Sequence, residues 1–280
     1  MSPLWFAAAG IGGFLSSLVG LRRTRRERDP LIRLNYAGRP VPVVLGRVLV
    51  RGAGAGLIIS LGLALLAGPV RAWPIPLVVL AGTYLLFYVG STDDRSTSEA
   101  RGLRAHLAAL TRGRVTTSIW KLVGGVGSAV VVAVMLGGGP TRVIVSVLVI
   151  ALSINVTNAM DVRPGRALKW TGLWLIPISF LALSGRLEGG LGIAYAAYLG
   201  AGFGVLWPDL WEKGMLGDAG SNPLGFVLGA SLAGFLPLWG LAVVLVILAG
   251  LQIAAETVTI SRLIDAGPPM RWFDRLGQRN

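Results

Sequence analysis

The chain has 280 residues, of which 54% are hydrophobic and only 14% are charged, whereas a soluble domain carries about 25% charged residues. Most of its surface is therefore not expected to face water. The chain contains no cysteine, which excludes disulfides, thiolate chemistry and Cys-ligated zinc or iron–sulfur sites. We interpret the net charge of +13 as a sign of membrane topology and contact with anionic lipid headgroups, and we do not expect nucleic-acid binding.

Long apolar stretches follow one another along the whole chain. A transmembrane helix needs about 20 mainly apolar residues, and nine stretches qualify: 3–21, 46–68, 74–92, 118–137, 141–157, 169–185, 189–207, 223–238 and 239–257. The first has no basic region before it and no small-residue cleavage site, so we expect it to stay in the membrane. Backbone groups must be satisfied inside the bilayer. The sequence therefore predicts an all-α, polytopic helical bundle of about nine spans, forming one integral-membrane domain over residues 1–280.

The charged residues predict the orientation of this bundle. With nine spans, one side of the membrane carries the loops 22–45, 93–117, 158–168, 208–222 and the tail 258–280. All of the 26 lysines and arginines lie in or beside these segments except Arg71, Arg142 and Arg186. By the positive-inside rule that side is the cytoplasm, so we expect an outside amino terminus and a cytoplasmic carboxyl terminus in the inner (plasma) membrane.

The acidic residues lie on the same side. Of the 13 aspartates and glutamates, only Glu188 lies on the outer side. Carboxylates contribute little to topology, so their distribution indicates a functional cytoplasmic face.

Three of the cytoplasmic loops carry acidic motifs. Asp93 and Asp94 are adjacent at the end of a predicted span, where a divalent cation or a metal–polyphosphate complex would relieve their repulsion. Such a pair also caps helices or lies in solvent. Asp218 follows Gly217 just before another span, which suits either a close approach to phosphate or an ordinary glycine-rich turn.

The third motif is a stripe of Asn155, Asn158 and Asp161, spaced every third residue at the end of a predicted helix. We expect this stripe to face the bundle interior, either as part of a site or as interhelical hydrogen bonds. Mg²⁺ is typically held by one or two carboxylates together with substrate phosphate oxygens. Acidic motifs on three loops of one face therefore predict phosphoryl transfer at the membrane surface, from a soluble diphosphate donor to a lipid acceptor.

At these loops the sequence resembles the polyprenyl-phosphate N-acetylhexosamine-1-phosphate transferase family, which includes phospho-N-acetylmuramoyl-pentapeptide transferase and the UDP-N-acetylglucosamine–undecaprenyl-phosphate transferases. Four motifs carry the resemblance in the family's order. They are Asn35-Tyr36-Ala37-Gly38-Arg39-Pro40-Val41-Pro42, Asp93-Asp94-Arg95 with Thr116-Thr117-x-x-x-Lys121, Asn155-x-x-Asn158-x-x-Asp161, and Leu216-Gly217-Asp218-Ala219-Gly220-Ser221.

The resemblance implies transfer of a sugar-1-phosphate from a UDP-sugar to polyprenyl phosphate, with release of UMP and with Mg²⁺ or Mn²⁺ as cofactor, for cell-envelope glycan synthesis. It implies that Asp218 ligates the metal, and that Asp93 and Asp94 position the polyprenyl phosphate or the metal, one of them acting as base. Further substrate-binding residues implied by the resemblance are Asn35, Lys121, Asn155, Asn158, Asp161, Gly217 and Ser221. Membrane lipid and a second copy of the chain, as a homodimer, are the other partners it implies.

The sequence also departs from the family. Thr97 stands where a third carboxylate is common, and Val162-Arg163-Pro164-Gly165 replaces a common Gly-x-Asp-Gly. The family's late histidine motif is absent, since the single histidine, His106, lies in the second cytoplasmic loop, and the chain stops after the ninth predicted helix. Peptidoglycan-precursor specificity is therefore not expected.

Two other hypotheses remain beside the transferase. These departures are compatible with a catalytically silent relative that binds nucleotide-sugar or polyprenyl-phosphate ligands, or that scaffolds an envelope-synthesis complex. A transporter or lipid flippase is disfavoured because we find no internal repeat and no charged residue deep in a span.

Overall fold

A computed structural model of the chain describes residues 3–27, 30–67, 74–96, 117–183 and 191–278. Within these ranges it contains eleven helices and one two-stranded hairpin. The nine long helices are α1 (Pro3–Thr24), α2 (Leu45–Ala67), α3 (Pro74–Arg95), α4 (Thr117–Leu136), α5 (Pro140–Met160), α6 (Arg166–Leu183), α7 (Leu191–Leu210), α8 (Asp218–Phe235) and α9 (Leu238–Thr257). The short elements are α10 (Ile260–Ala266), α11 (Pro268–Arg275), β1 (Ile32–Leu34) and β2 (Pro40–Pro42).

The expectation of an all-α membrane protein is confirmed at this level. Each predicted apolar stretch coincides with a long helix, and seven helices within the described residues are long and apolar enough to cross a membrane. These seven are α1, α2, α3, α4, α5, α7 and α9. The other two long helices begin with polar residues, since α6 contains Arg166 and Lys169 and α8 contains Asp218 and Asn222. The number of spans and their orientation remain predictions.

Helix α8 lies at the centre of the bundle. Every residue from Ala219 to Ala233 is buried, and the helix contacts α2, α3, α4, α5, α6 and α7. A helix enclosed by protein on all sides need not present a uniformly apolar surface to lipid. Ser221 and Asn222, in its first two turns, therefore lie in the interior of the bundle.

Glycines allow the neighbouring helices to approach α8 closely. A Cβ atom added at Gly225 would lie 2.5 Å from the backbone oxygen of Ser153 in α5, and one added at Gly229 would lie 2.6 Å from the Cα of Ile150. Small residues at helix interfaces let backbones meet in this way inside membranes. The glycine content of the chain thus contributes directly to the packing of α8 against α5.

The β1–β2 hairpin was not predicted from the sequence. It pairs antiparallel with Ile32 opposite Pro42, and its turn depends on the side chain of Asn35. The Oδ1 atom of Asn35 accepts hydrogen bonds from the backbone N–H groups of Ala37 and Arg39, both at 2.9 Å, while Gly38 adopts a left-handed φ of 73°. The Asn-x-x-Gly pattern of the first loop is therefore a local turn motif as well as a point of family resemblance.

The carboxyl-terminal segment packs back against the start of α6 through an ion pair. The Arg166 guanidinium donates to both carboxylate oxygens of Asp274, at 2.7 and 2.8 Å, and the two side chains are only 5% and 4% exposed. Lys169 donates to the backbone oxygen of Phe273 at 3.0 Å. The tail thus lies against the same end of the bundle as the loop that links α5 to α6.

The packing of α8 on α5 can be tested at Gly225. We expect Gly225→Ala to destabilise the fold by about 1–3 kcal/mol, because its methyl group would overlap the α5 backbone. Thermal unfolding in detergent, followed by tryptophan fluorescence, measures the change. Gly127→Ala is the matched control, since a Cβ atom there meets nothing within 4 Å. Equal unfolding temperatures for the two variants would contradict the proposed close contact.

Candidate functional site

The acidic motifs of three loops meet at one end of the bundle, around the first turn of α8. Asp93 and Asp94 lie in the last turn of α3, Asp161 directly follows α5, and Asp218 is the first residue of α8. Lys121, in the second turn of α4, reaches the same place. Side chains from four separate elements thus form one cluster, which we call the acidic cluster: Asp93, Asp94, Lys121, Asp161 and Asp218.

Asp94 binds the amino terminus of α8. Its Oδ1 atom accepts a hydrogen bond from the backbone N–H of Asp218 at 2.9 Å, and its Oδ2 atom accepts one from Ala219 at 3.0 Å. The first N–H groups of a helix have no partner within the helix, and a carboxylate placed there also interacts favourably with the helix dipole. Asp94 therefore acts as a helix cap supplied by a different helix.

Three glycines make this contact possible. Gly217 adopts a left-handed φ of 63°, and a Cβ atom there would lie 2.8 Å from the Asp94 carboxylate. A Cβ atom at Gly90 would lie 2.4 Å from the backbone oxygen of Asp218, and one at Gly46 would lie 2.5 Å from the backbone nitrogen of Gly220. Helices α2 and α3 thus approach the first turn of α8 at backbone-to-backbone distance.

Lys121 connects two of the carboxylates. Its ammonium group lies 2.5 Å from Oδ2 of Asp93 and also forms an ion pair with Asp218. The side chains of these three residues are about one-fifth exposed, so the pairs are partly desolvated and their attraction is stronger than that of a surface pair. Two carboxylates from α3 and α8 therefore converge on a single cationic group.

Burial and neighbouring carboxylates raise the pKa values of Asp161 and Asp218. Burial, together with the nearby charges of Asp209 and Asp218, raises the pKa of Asp161 well above its usual range. Burial also raises the pKa of Asp218 to about 7, against the opposing effect of Lys121. Crowded carboxylates bind protons or cations readily, because either one relieves their repulsion and desolvation.

The Asn155–Asp161 stripe is only partly directed inward. Asn158 is half-buried and its Oδ1 atom accepts a hydrogen bond from the Ser221 hydroxyl of α8 at 3.2 Å. Asn155, in contrast, is exposed, so the expectation that it faces the interior is wrong. A spacing of three residues turns about 300° around a helix, and the stripe consequently drifts off one face within two steps.

The structure brings other polar residues to the site that the sequence analysis did not single out. Asp209, buried near the end of α7, accepts a hydrogen bond from the backbone N–H of Gly165 at 2.9 Å and so holds the loop after Asp161. Glu212 accepts one from Nδ2 of Asn35 at 3.1 Å. Arg33 donates to the backbone oxygen of Ser96 at 2.7 Å. Their only sequence signal was their position in the predicted cytoplasmic loops.

The carboxylates suit Mg²⁺ or Mn²⁺ in kind, because both ions prefer oxygen ligands. Within the described parts of the chain, no three His, Asp or Glu side chains are arranged together to hold a metal ion. Asp93 and Asp218 nevertheless converge on one cation, the Lys121 ammonium. Two carboxylates are the usual protein contribution to Mg²⁺ when a substrate diphosphate supplies further oxygens.

Most of the second predicted cytoplasmic loop lies outside the described residues, including Thr97, His106 and Thr116. Comparison with known proteins adds no assignment: no protein-family model matches this sequence, and no curated protein matches it. The fold and the cluster define a multi-pass α-helical membrane protein with an acidic, lysine-bridged site at one end of its helices.

The cap formed by Asp94 can be tested by hydrogen exchange. We expect Asp94→Asn to speed amide exchange at residues 218 and 219 and to cost about 0.5–2 kcal/mol of stability, because one acceptor oxygen and the negative charge are lost. Glu256→Gln, an exposed change on α9, is the matched control. Unchanged exchange at residues 218 and 219 in Asp94→Asn would contradict the capping role.

Proposed function

We propose that this protein transfers a sugar-1-phosphate, such as N-acetylhexosamine-1-phosphate, from a UDP-sugar to polyprenyl phosphate. The reaction takes place at the cytoplasmic face of the inner membrane and serves cell-envelope glycan synthesis. The observation that carries the proposal is the gathering of Asp93, Asp94, Lys121 and Asp218 from three helices around the first turn of α8. The order of the four resembling motifs along the chain supports the same assignment.

The proposed reaction is a single phosphoryl transfer. An oxygen of the polyprenyl phosphate attacks the sugar-bearing phosphorus of the UDP-sugar, and the bond between that phosphorus and the bridging oxygen breaks. UMP leaves, and the sugar remains on a lipid diphosphate. Positioning and charge neutralisation supply most of the catalysis in phosphoryl transfer. The acidic and basic residues would therefore align the polyprenyl phosphate with the diphosphate of the UDP-sugar and neutralise their charge.

The residues of the cluster take different parts in this scheme. Asp94 is engaged by two backbone N–H groups, so it positions the start of α8. Asp93 would accept the proton of the acceptor phosphate. Asp218 and Asp93 would hold the metal, while Lys121 would turn from these carboxylates toward the diphosphate. Bound Mg²⁺ would supply Lewis-acid stabilisation of the charge that develops on the transferred group.

A cleft beside the cluster offers room for a phosphate-bearing substrate. Its volume is about 540 Å³, and it lies between the β1–β2 hairpin, α2 and α3. Its polar lining consists of Glu27, Arg47, Ser91, Asp94 and Arg95, with Arg47 paired to Glu27. Arginine side chains bind phosphate through charge-assisted hydrogen bonds, so we assign this cleft to one of the two phosphate-bearing substrates.

A catalytically silent binding protein is the second candidate, favoured by two observations. The Lys121 ammonium already neutralises Asp93 and Asp218, and the sequence lacks two carboxylates that are common in the resembling family. Such a protein would bind UDP or polyprenyl phosphate without releasing UMP. Isothermal titration with UDP, in parallel with the activity assay, separates the two candidates.

The proposed activity is tested with purified protein, Mg²⁺, undecaprenyl phosphate and a panel of radiolabelled UDP-sugars. We expect metal-dependent UMP release that Asp218→Asn lowers at least ~100-fold, because the metal that would stabilise the transferred phosphoryl group loses a carboxylate ligand. Asp265→Asn, which alters a partly exposed ion pair with Arg163, is the matched control. No UMP release from any UDP-sugar by a well-folded preparation would overturn the proposal.

The proposed membrane orientation is tested by labelling single introduced cysteines. The chain has no cysteine of its own, so any labelling reports the introduced position. We expect an impermeant maleimide to label Thr141→Cys in intact cells, because this exposed residue lies in the first turn of α5, on the predicted outer side. Ala37→Cys, in the exposed hairpin turn, should react only after the membrane is permeabilised. The reverse pattern would overturn the proposed topology.

A further inference from the structure

A groove between α1 and α2 has a charge gradient along its length. Its volume is about 650 Å³, and it lies at the same end of the bundle as the acidic cluster. On α1 it is lined by residues spaced four apart: Leu15, Val19 and Arg23. On α2 the lining residues have the same spacing: Arg47, Arg51 and Ala55. Residues four apart share a helix face. The groove is therefore cationic at one end and apolar toward the middle of both helices.

The groove arises from the close packing of the two helices. A Cβ atom at Gly56 in α2 would lie 2.3 Å from the backbone oxygen of Ala9 and 2.7 Å from the backbone nitrogen of Gly13, both in α1. The two backbones are thus in contact there. Nearer the acidic cluster, longer side chains of α1 and α2 form the two sides of the groove. Both helices are candidate membrane spans, so the apolar part of the groove is open to acyl chains.

Arg51 is the residue that most requires a ligand. It lies six residues, or about 9 Å, into the span formed by α2, and it is exposed. Within the described residues it forms no hydrogen bond or ion pair. An arginine less than two turns into a span extends its charged head to the interface, where water or an anionic headgroup can satisfy it.

The described part of the groove has an excess of positive charge. Arg23, Arg26, Arg47 and Arg51 line it together with a single carboxylate, Glu27, which forms an ion pair with Arg47. Basic pockets between membrane helices bind anionic lipid headgroups. A free phosphate would satisfy the arginines but would leave the apolar half of the groove without a partner, whereas a lipid satisfies both halves.

We propose that this groove binds an anionic glycerophospholipid of the bilayer, with its phosphate between Arg23, Arg47 and Arg51 and its acyl chain along Leu15 and Val19. The site is distinct from the acidic cluster, although Glu27 and Arg47 also line the cleft beside Asp94. Its occupant therefore lies next to the proposed substrate cleft. The proposal concerns binding alone and does not depend on transferase activity.

The test is native mass spectrometry of the full chain in detergent with an equimolar mixture of phosphatidylglycerol and phosphatidylcholine. We expect preferential retention of one phosphatidylglycerol, which Arg51→Gln weakens about fivefold, because each arginine near an anionic headgroup contributes about 1 kcal/mol. Arg23→Gln, at the other wall, should have a similar effect. Arg262→Gln removes an exposed arginine of α10 that does not line the groove and should leave retention unchanged.

Several outcomes would overturn the proposal. Equal retention of the two lipids, or equal retention by wild type and both groove variants, would mean that the groove does not select an anionic lipid. Displacement of phosphatidylglycerol by inorganic phosphate at constant ionic strength would identify a simple anion site. Its displacement by stoichiometric undecaprenyl phosphate, lost in Arg51→Gln, would instead assign the groove to the lipid acceptor.

Discussion

The arrangement of the site depends on how the amino terminus of one buried helix is satisfied. Helix α8 is enclosed by protein from Ala219 to Ala233. The N–H groups of its first turn, which have no partner within the helix, therefore have little access to water. The Asp94 carboxylate of α3 accepts hydrogen bonds from two of these N–H groups. This requirement brings the end of α3 to the start of α8, and the other charged groups collect around that junction.

The contact between α3 and α8 also explains why glycines line it and why Lys121 lies beside it. Backbones can approach α8 only where no side chain intervenes, which is the case at Gly46 and Gly90. Once Asp94 is used as a cap, the carboxylates of Asp93 and Asp218 remain at the surface of the junction, and Lys121 binds both. The capping role of Asp94 and the pairing of Asp93 and Asp218 with Lys121 thus both follow from the contact between α3 and α8.

The features that bear on membrane chemistry share one end of the bundle. The acidic cluster, the cleft between the hairpin and α3, and the arginine-lined groove between α1 and α2 are adjacent, and Arg47 lines both the cleft and the groove. A reaction between a soluble diphosphate and a membrane lipid needs such a boundary, where polar groups lie beside surfaces that accept acyl chains. Anionic lipid in the groove would place negative charge next to the cleft and so influence what enters it.

Long apolar stretches determined the helices, because hydrophobic length identifies a segment that can cross a bilayer, and each predicted stretch coincides with a long helix. The sequence also selected Asp93, Asp94, Asp161 and Asp218, because charged groups at span ends are informative in an apolar chain. Lys121 was selected only through the resemblance to the transferase family. Only the tertiary structure distinguished the capping role of Asp94 from the ion pairs of its neighbours. It also showed that Asn155 is exposed, that Asp209 is buried beside the site, and that an arginine-lined groove lies between α1 and α2. Those features depend on which helices are neighbours, and helix neighbours are set by close packing between residues distant in the chain.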